Sequence, residues 1–168
     1  MKNIILIGMP GSGKSTVGVL LAKTLGYGFI DTDLTIQQRE GALLQEILDR
    51  RGLEAFLDAE EAAIRSVACE RSVIAPGGSA VCREGAIAHL RELGAVVYLR
   101  IPLEQLQKRL SNIKTRGIAM GPGQTLADLY AYRAPLYEKY AHAAVDVGGQ
   151  TLEETVSAML RTLVELSI

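Results

Sequence analysis

Residues 8–15 read Gly-Met-Pro-Gly-Ser-Gly-Lys-Ser and follow directly on the apolar run Asn3 to Ile7. This is a complete G-x-x-x-x-G-K-[ST] pattern, and it fixes much of the architecture around it. A buried strand must deliver the chain to the loop, and a helix must leave it near Lys14. Gly11 and Gly13 let backbone N–H groups turn inward with no Cβ in the way. The new helix adds the positive end of its dipole. Such a loop suits the oxygens of a nucleoside triphosphate. Lys14 would supply a mobile charge for the β- and γ-phosphates, and Ser15 a hydroxyl for Mg²⁺. Gly11, Ser12, Gly13, Lys14, Ser15 and Thr16 are therefore the candidate nucleotide-binding residues. The full pattern in a strand-to-helix setting weighs against a glycine-rich turn that binds nothing.

Four further apolar runs have strand character: Gly28 to Ile30, Ser72 to Ala75, Ala95 to Leu99 and Ala144 to Val147. They barely alternate with polar residues, which suits strands buried on both faces of a parallel sheet. Helical spacing predicts helices over Lys14 to Leu25, Leu53 to Glu70, Arg83 to Leu93, Leu103 to Leu110, Leu126 to Tyr140 and Leu152 to Leu166. Strand and helix alternate. The expected fold is α/β, a three-layer α/β/α P-loop fold with a central five-stranded parallel sheet flanked by helices and a short lid. At 168 residues, 48% of them hydrophobic, the chain suits one domain over 1–168. Two segments break the rhythm. Asp33 to Arg51 carries short helical pieces, and 111–124 is polar, glycine-rich and long enough for a lid.

A net charge of −1, with Lys and Arg dispersed, gives no footprint for nucleic acid or an anionic membrane. No apolar run approaches a membrane span, and the N-terminal run is too short for a signal-peptide core. The two cysteines, Cys69 and Cys82, match no metal or redox spacing and are expected to be reduced and mostly buried. A soluble, cytoplasmic monomer is the expectation.

Phe29-Ile30-Asp31-Thr32-Asp33 sets two carboxylates just past a strand end, where open parallel sheets bind ligands. In extended chain, residues two apart face the same way. One carboxylate can hold Mg²⁺; the other can accept a hydrogen bond, and later a proton, from a substrate hydroxyl. The plainer alternative is that Asp33 or Thr32 caps the helix from Leu34.

Taken together, these residues resemble the shikimate kinases, within the nucleoside-monophosphate-kinase-like group, over nearly the whole chain. The phosphate loop, Asp31-Thr32-Asp33, Pro76-Gly77-Gly78, Val96-Val97-Tyr98-Leu99 and Arg133-Ala134-Pro135-Leu136-Tyr137 carry the likeness. The resemblance implies transfer of the γ-phosphoryl group of ATP to a small-molecule hydroxyl, with shikimate and its 3-hydroxyl first. It implies Asp33 as base and hydroxyl ligand, and Asp31 in the metal shell. Gly77 and Gly78 would offer backbone to the acceptor within the region 33–60 and its surroundings, and Arg133 would pair with its carboxylate. Arg116 would lie over the phosphates, Arg109 against the adenine, and Gln150 near the adenine edge. Departures cluster on the acceptor side. Leu57 stands where the family has an arginine that binds the substrate carboxylate. Ser79 replaces a third glycine; Gln37 and Leu53 replace glutamates; Gly117-Ile118 follows Arg116, and His142 replaces an aspartate. Either Arg50, Arg51 or Arg65 takes over for the missing arginine, or the acceptor is a different hydroxy acid or polyol. Leu57 could then wall it. A nucleotide-binding regulatory protein that has lost its acceptor is the alternative of another class. His89 and His142 read as ordinary surface residues.

Overall fold

The computed structural model describes residues 2–110 and 117–168. Its elements run β1 (Asn3–Ile7), α1 (Lys14–Leu25), β2 (Gly28–Asp31), α2 (Thr32–Glu40), α3 (Leu44–Arg65), β3 (Ser72–Ala75), a 3₁₀ turn (Gly78–Cys82), α4 (Glu84–Leu93), β4 (Gly94–Arg100), α5 (Leu103–Arg109), α6 (Leu126–Tyr140), β5 (Ala143–Asp146) and α7 (Leu152–Glu165). The five strands form one sheet in the order β2-β3-β1-β4-β5, and every pairing is parallel. All residues of β1 and β3 are buried, as the lack of alternation requires for strands covered on both faces. Asn3 ties the strand entrances together. Its amide donates to the carbonyls of Cys69 and Leu93 and accepts from the N–H of Ser72, at 2.8–3.1 Å.

This order places the site. β3 lies between β1 and β2, and Asp31 is in register with Ala75. The phosphate loop after β1, the carboxylates after β2 and the glycines after β3 therefore emerge side by side at the carboxyl end of the sheet. A second, smaller apolar cluster lies to one side of that end of the sheet. Ile36, Leu44, Ile47, Phe56, Leu57, Ala63 and Ala119 bind α2, α3 and the segment after Gly117 together.

One expectation needs correction. The helix foreseen over Leu53 to Glu70 stops at Arg65. There the Ser66 hydroxyl bonds the Ala63 carbonyl and Val67 N–H the Ile64 carbonyl. The short helical pieces expected over Asp33 to Arg51 are there as α2 and the first turns of α3, set off from the rest of α3 at Gly52, whose φ of 82° and ψ of 178° suit glycine alone. Of the two histidines, His142 is exposed and His89 partly buried, and both make hydrogen bonds to backbone. His142 Nδ1 accepts from the Val96 N–H and its own N–H donates to the Val96 carbonyl, which docks β5 beside β4. The His89 ring bonds the Val67 carbonyl at 2.9 Å. Cys69 and Cys82 are both free and partly buried.

Candidate active site

The loop between β1 and α1 takes the shape its glycines permit. Gly11 and Gly13 have φ of 82° and 93°, and Gly13 caps α1. Lys14 folds back beneath the loop, 8% exposed, with Nζ donating to the carbonyls of Gly8 and Met9 at 2.8 and 2.9 Å. Burial lowers its pKa to about 8, opposed chiefly by Asp33, so the ammonium remains mostly charged at neutral pH. Ser12 is buried, and its hydroxyl has no partner among the described residues. Ser15 and Thr16 are exposed on the first turn of α1. Arg109 is exposed at the end of α5, where it donates to the Gly11 carbonyl at 3.1 Å. That brings it to the rim of the loop. Gln150 is exposed on the turn after β5 and lies outside the central cavity, beside Glu153 and Glu154. Arg116 lies outside the described residues.

Asp31, rather than Asp33 or Thr32, is the cap of α2. Its Oδ1 accepts from the Asp33 N–H at 2.9 Å, and its Oδ2 from the Ser15 hydroxyl at 3.1 Å. The chain turns helical at Thr32, so strand alternation is not what aligns the pair. The cap is: it turns Asp31 toward Ser15 and leaves Asp33 free to face the cavity. Burial, then the neighbouring Asp31, raises the Asp33 pKa to about 6, against the pull of Lys14.

The cavity itself has a volume of about 350 Å³ and is walled by the loop, Asp33, Phe56, Glu60, Gly77, Gly78, Ser79, Arg133 and residues 117–119. Its floor has no room for side chains. A β-carbon on Gly77 would stand 2.6 Å from Glu60 Oε2 and 2.9 Å from Asp33 Oδ1. One on Gly78 would stand 3.3 Å from Arg133 Nη1. Thus two carboxylates and one guanidinium surround the Gly77-Gly78 backbone. Tyr137 holds that backbone from below, donating to the Gly78 carbonyl at 2.6 Å. Arg133 is 3% exposed and donates to the Ala119 carbonyl at 2.6 Å. None of the ion pairs among the described residues includes it. Gly117, with φ of 64°, presses against Leu44 and donates to Gln45 Oε1, so the described part of the 111–124 segment packs onto α3 as a wall.

None of the arginines considered as substitutes reaches this cavity. Arg51 pairs with Glu40, and Arg50, Arg51 and Arg65 are all exposed on α3. Leu57 does not wall the cavity either. It lines an adjoining recess with Leu53, Cys82 and Arg133, while its neighbour Phe56 faces the cavity. Gln37 accepts from the Leu44 N–H and helps start α3.

Sequence reasoning overlooked Glu60 and the part played by Ser79. Glu60 is 1% exposed, its Oε1 accepts from the Ser79 hydroxyl at 2.6 Å, and its Oε2 has no partner among the described residues. Burial raises its pKa to about 7, against the Ser79 hydrogen bond. A signal was present. Glu60 falls four residues after Phe56 and four before Ile64, a carboxylate on the apolar stripe of its helix.

A parallel sheet with a glycine-rich loop over a buried lysine, facing a cavity lined by carboxylates and a guanidinium, defines a P-loop nucleotide-binding protein built for phosphoryl transfer. The relatives agree. The shikimate kinase family matches over residues 10–164. A shikimate kinase of Pseudomonas fluorescens is 40% identical across 99% of this chain and 98% of its own. The structure of the shikimate kinase from Acinetobacter baumannii in complex with shikimate superposes with a TM-score of 0.90, at 30% identity, across 100% of this chain and 96% of the other. That of the Aquifex aeolicus shikimate kinase gives 0.84 at 30% identity, across 99% and 98%. The chain belongs to the shikimate kinase family. No helix among the described residues is long and apolar enough to cross a membrane.

Proposed function

We propose that this chain transfers the γ-phosphoryl group of ATP to the 3-hydroxyl of shikimate, giving shikimate 3-phosphate and ADP. The observation that carries the reading is the meeting of the Lys14 loop with Asp33, Arg133 and the Gly77-Gly78 backbone in one cavity of about 350 Å³, in a chain of this family.

The backbone amides of residues 11–16 hold the triphosphate, with the Lys14 ammonium against the β- and γ-phosphates. Ser15 Oγ and Asp31 Oδ2, 3.1 Å apart, are oxygen donors that fit Mg²⁺, an ion that keeps several waters and needs only one or two protein groups beside phosphate. The ion, when bound, neutralises phosphate charge. Asp33 accepts the proton of the acceptor hydroxyl as the new O–P bond forms and the bond from the γ-phosphorus to the bridging oxygen of ADP breaks. Its raised pKa makes it a better proton acceptor than an ordinary aspartate while leaving it ionised at neutral pH. Arg133 pairs with the acceptor's carboxylate, and the floor glycines allow the acceptor to lie against backbone. Arg109 and Gln150 are assigned to the nucleotide base side, and Arg116 to the phosphates on its sequence position. Residues 117–119 exclude water from one side, which limits wasteful hydrolysis of ATP.

The test is a coupled ADP-release assay with shikimate beside other small hydroxy acids, polyols and nucleoside monophosphates. Shikimate is expected to give the highest kcat/KM. ATP turnover with another acceptor and none above background with shikimate would overturn the substrate assignment. Nucleotide binding without any phosphorylated product would favour a regulatory role.

A further inference from the structure

The arginine that the family resemblance places at position 57 is a leucine here, and nothing cationic among the described residues takes its place in the cavity beyond Lys14 and Arg133. Yet a buried carboxylate remains on the next turn of the same helix. Glu60 is fastened on one side only. Ser79, itself buried and standing where the resemblance places a glycine, donates to Oε1, while Oε2 has no partner among the described residues. A buried carboxyl oxygen that gives up water and gains nothing is costly, and native structures rarely leave one so. A hydrogen-bond donor arriving with the ligand would complete it.

The position of Oε2 says which donor. It and Asp33 Oδ1 lie 2.6 and 2.9 Å from the same point, the place where a Gly77 β-carbon would stand. Asp33 is assigned to the hydroxyl that is phosphorylated. A second acceptor oxygen beside it suits the hydroxyl on the adjacent carbon.

Resting on the function proposed above, we propose that Glu60 is a specificity-determining residue: its Oε2 accepts a hydrogen bond from the acceptor hydroxyl next to the one that is phosphorylated, and Ser79 is the positioning residue that aims it. Asp33 and Glu60 together then grip a vicinal diol, and the site selects acceptors that carry one. A carboxyl group accepts from a hydroxyl in either protonation state. The contact therefore persists on both sides of neutral pH, where burial leaves Glu60 close to half-titrated.

The experiment pairs truncations on both partners. Shikimate, its 4-deoxy analogue and its 5-deoxy analogue are compared as acceptors for the wild type, Glu60→Ala and Ser79→Ala, with circular dichroism to establish that each variant is folded. Removal of the 4-hydroxyl is expected to lower wild-type kcat/KM roughly 10- to 150-fold, the range for a hydrogen bond to a charged group. The same removal is expected to cost Glu60→Ala no more than about twofold, with Ser79→Ala falling between. Removal of the 5-hydroxyl should cost all three enzymes alike. An equal 4-hydroxyl penalty in the wild type and Glu60→Ala would overturn the contact. So would a wild type indifferent to the 4-hydroxyl, a result that needs no variant to fold. Failure of the wild type to phosphorylate shikimate at all is a separate outcome. It would overturn the substrate assignment, and this inference with it.

Discussion

Replacing Glu60 by glutamine should change how stability depends on pH in a way that the geometry fixes in sign and size. The carboxyl is 1% exposed, and burial raises its pKa from 4.5 to about 7. Between those values the folded chain holds a proton that the unfolded chain has released, so stability falls as pH rises. For a single group shifted this far, about 2 kcal/mol is lost between about pH 5 and about pH 7.5. Asp33, raised from 3.8 to about 6, acts in the same direction but remains in the variant. Lys14, lowered from 10.5 to about 8, acts in the opposite sense and only at higher pH. Glutamine keeps an oxygen for the Ser79 hydroxyl and cannot titrate. Urea unfolding of the nucleotide-free protein, followed by far-ultraviolet circular dichroism at both pH values, should show the wild type losing about 2 kcal/mol more than Glu60→Gln. Parallel losses in the two proteins would mean that Glu60 ionises as freely in the fold as in water, and would rule out the raised pKa.

Three further perturbations probe other parts of the site. Gly77→Ala would drive a β-carbon into Glu60 Oε2 and Asp33 Oδ1; kcat/KM for the acceptor should fall roughly 10- to 150-fold, while calorimetry shows nucleotide affinity retained. Asp33→Asn should lower kcat by about 10²–10⁴-fold with little change in ATP binding, and the acid limb of the wild-type kcat/KM profile, lost as pH falls through about 6, should follow Asp33. Tyr137→Phe removes the hydroxyl that donates to the Gly78 carbonyl at 2.6 Å inside the core, and urea unfolding should show a loss of about 1–3 kcal/mol.

The parts of this site that could be read from sequence are those whose chemistry is local. Residues 8–15 specify their own loop, because the glycines, the lysine and the flanking strand and helix are all contiguous. The strands were legible because apolar runs without alternation have few other uses. Arg133 was legible only through its signature, Arg133-Ala134-Pro135-Leu136-Tyr137. What could not be read depends on packing between distant segments. Asp31 and Asp33 form a recognisable pair, but Ser15 and the cap of α2 decide which one faces the cavity. Leu57 and Phe56 are neighbours in sequence, yet only the helix orientation shows that Phe56 walls the cavity and Leu57 does not. Glu60 and Ser79 meet across nineteen residues, so neither announces the other. The long helix ended early because Ser66 and Val67 satisfy its last carbonyls locally, a competition that apolar spacing does not register.

The destination of one phosphorus atom decides the proposed reaction, and ³¹P nuclear magnetic resonance can follow it directly in a mixture of the purified chain, ATP, Mg²⁺ and shikimate. A new phosphomonoester signal is expected, coupled to the ring proton at carbon 3 and growing in equal amount with ADP. Orthophosphate as the sole new signal, or a phosphomonoester at another ring position, would contradict that reaction.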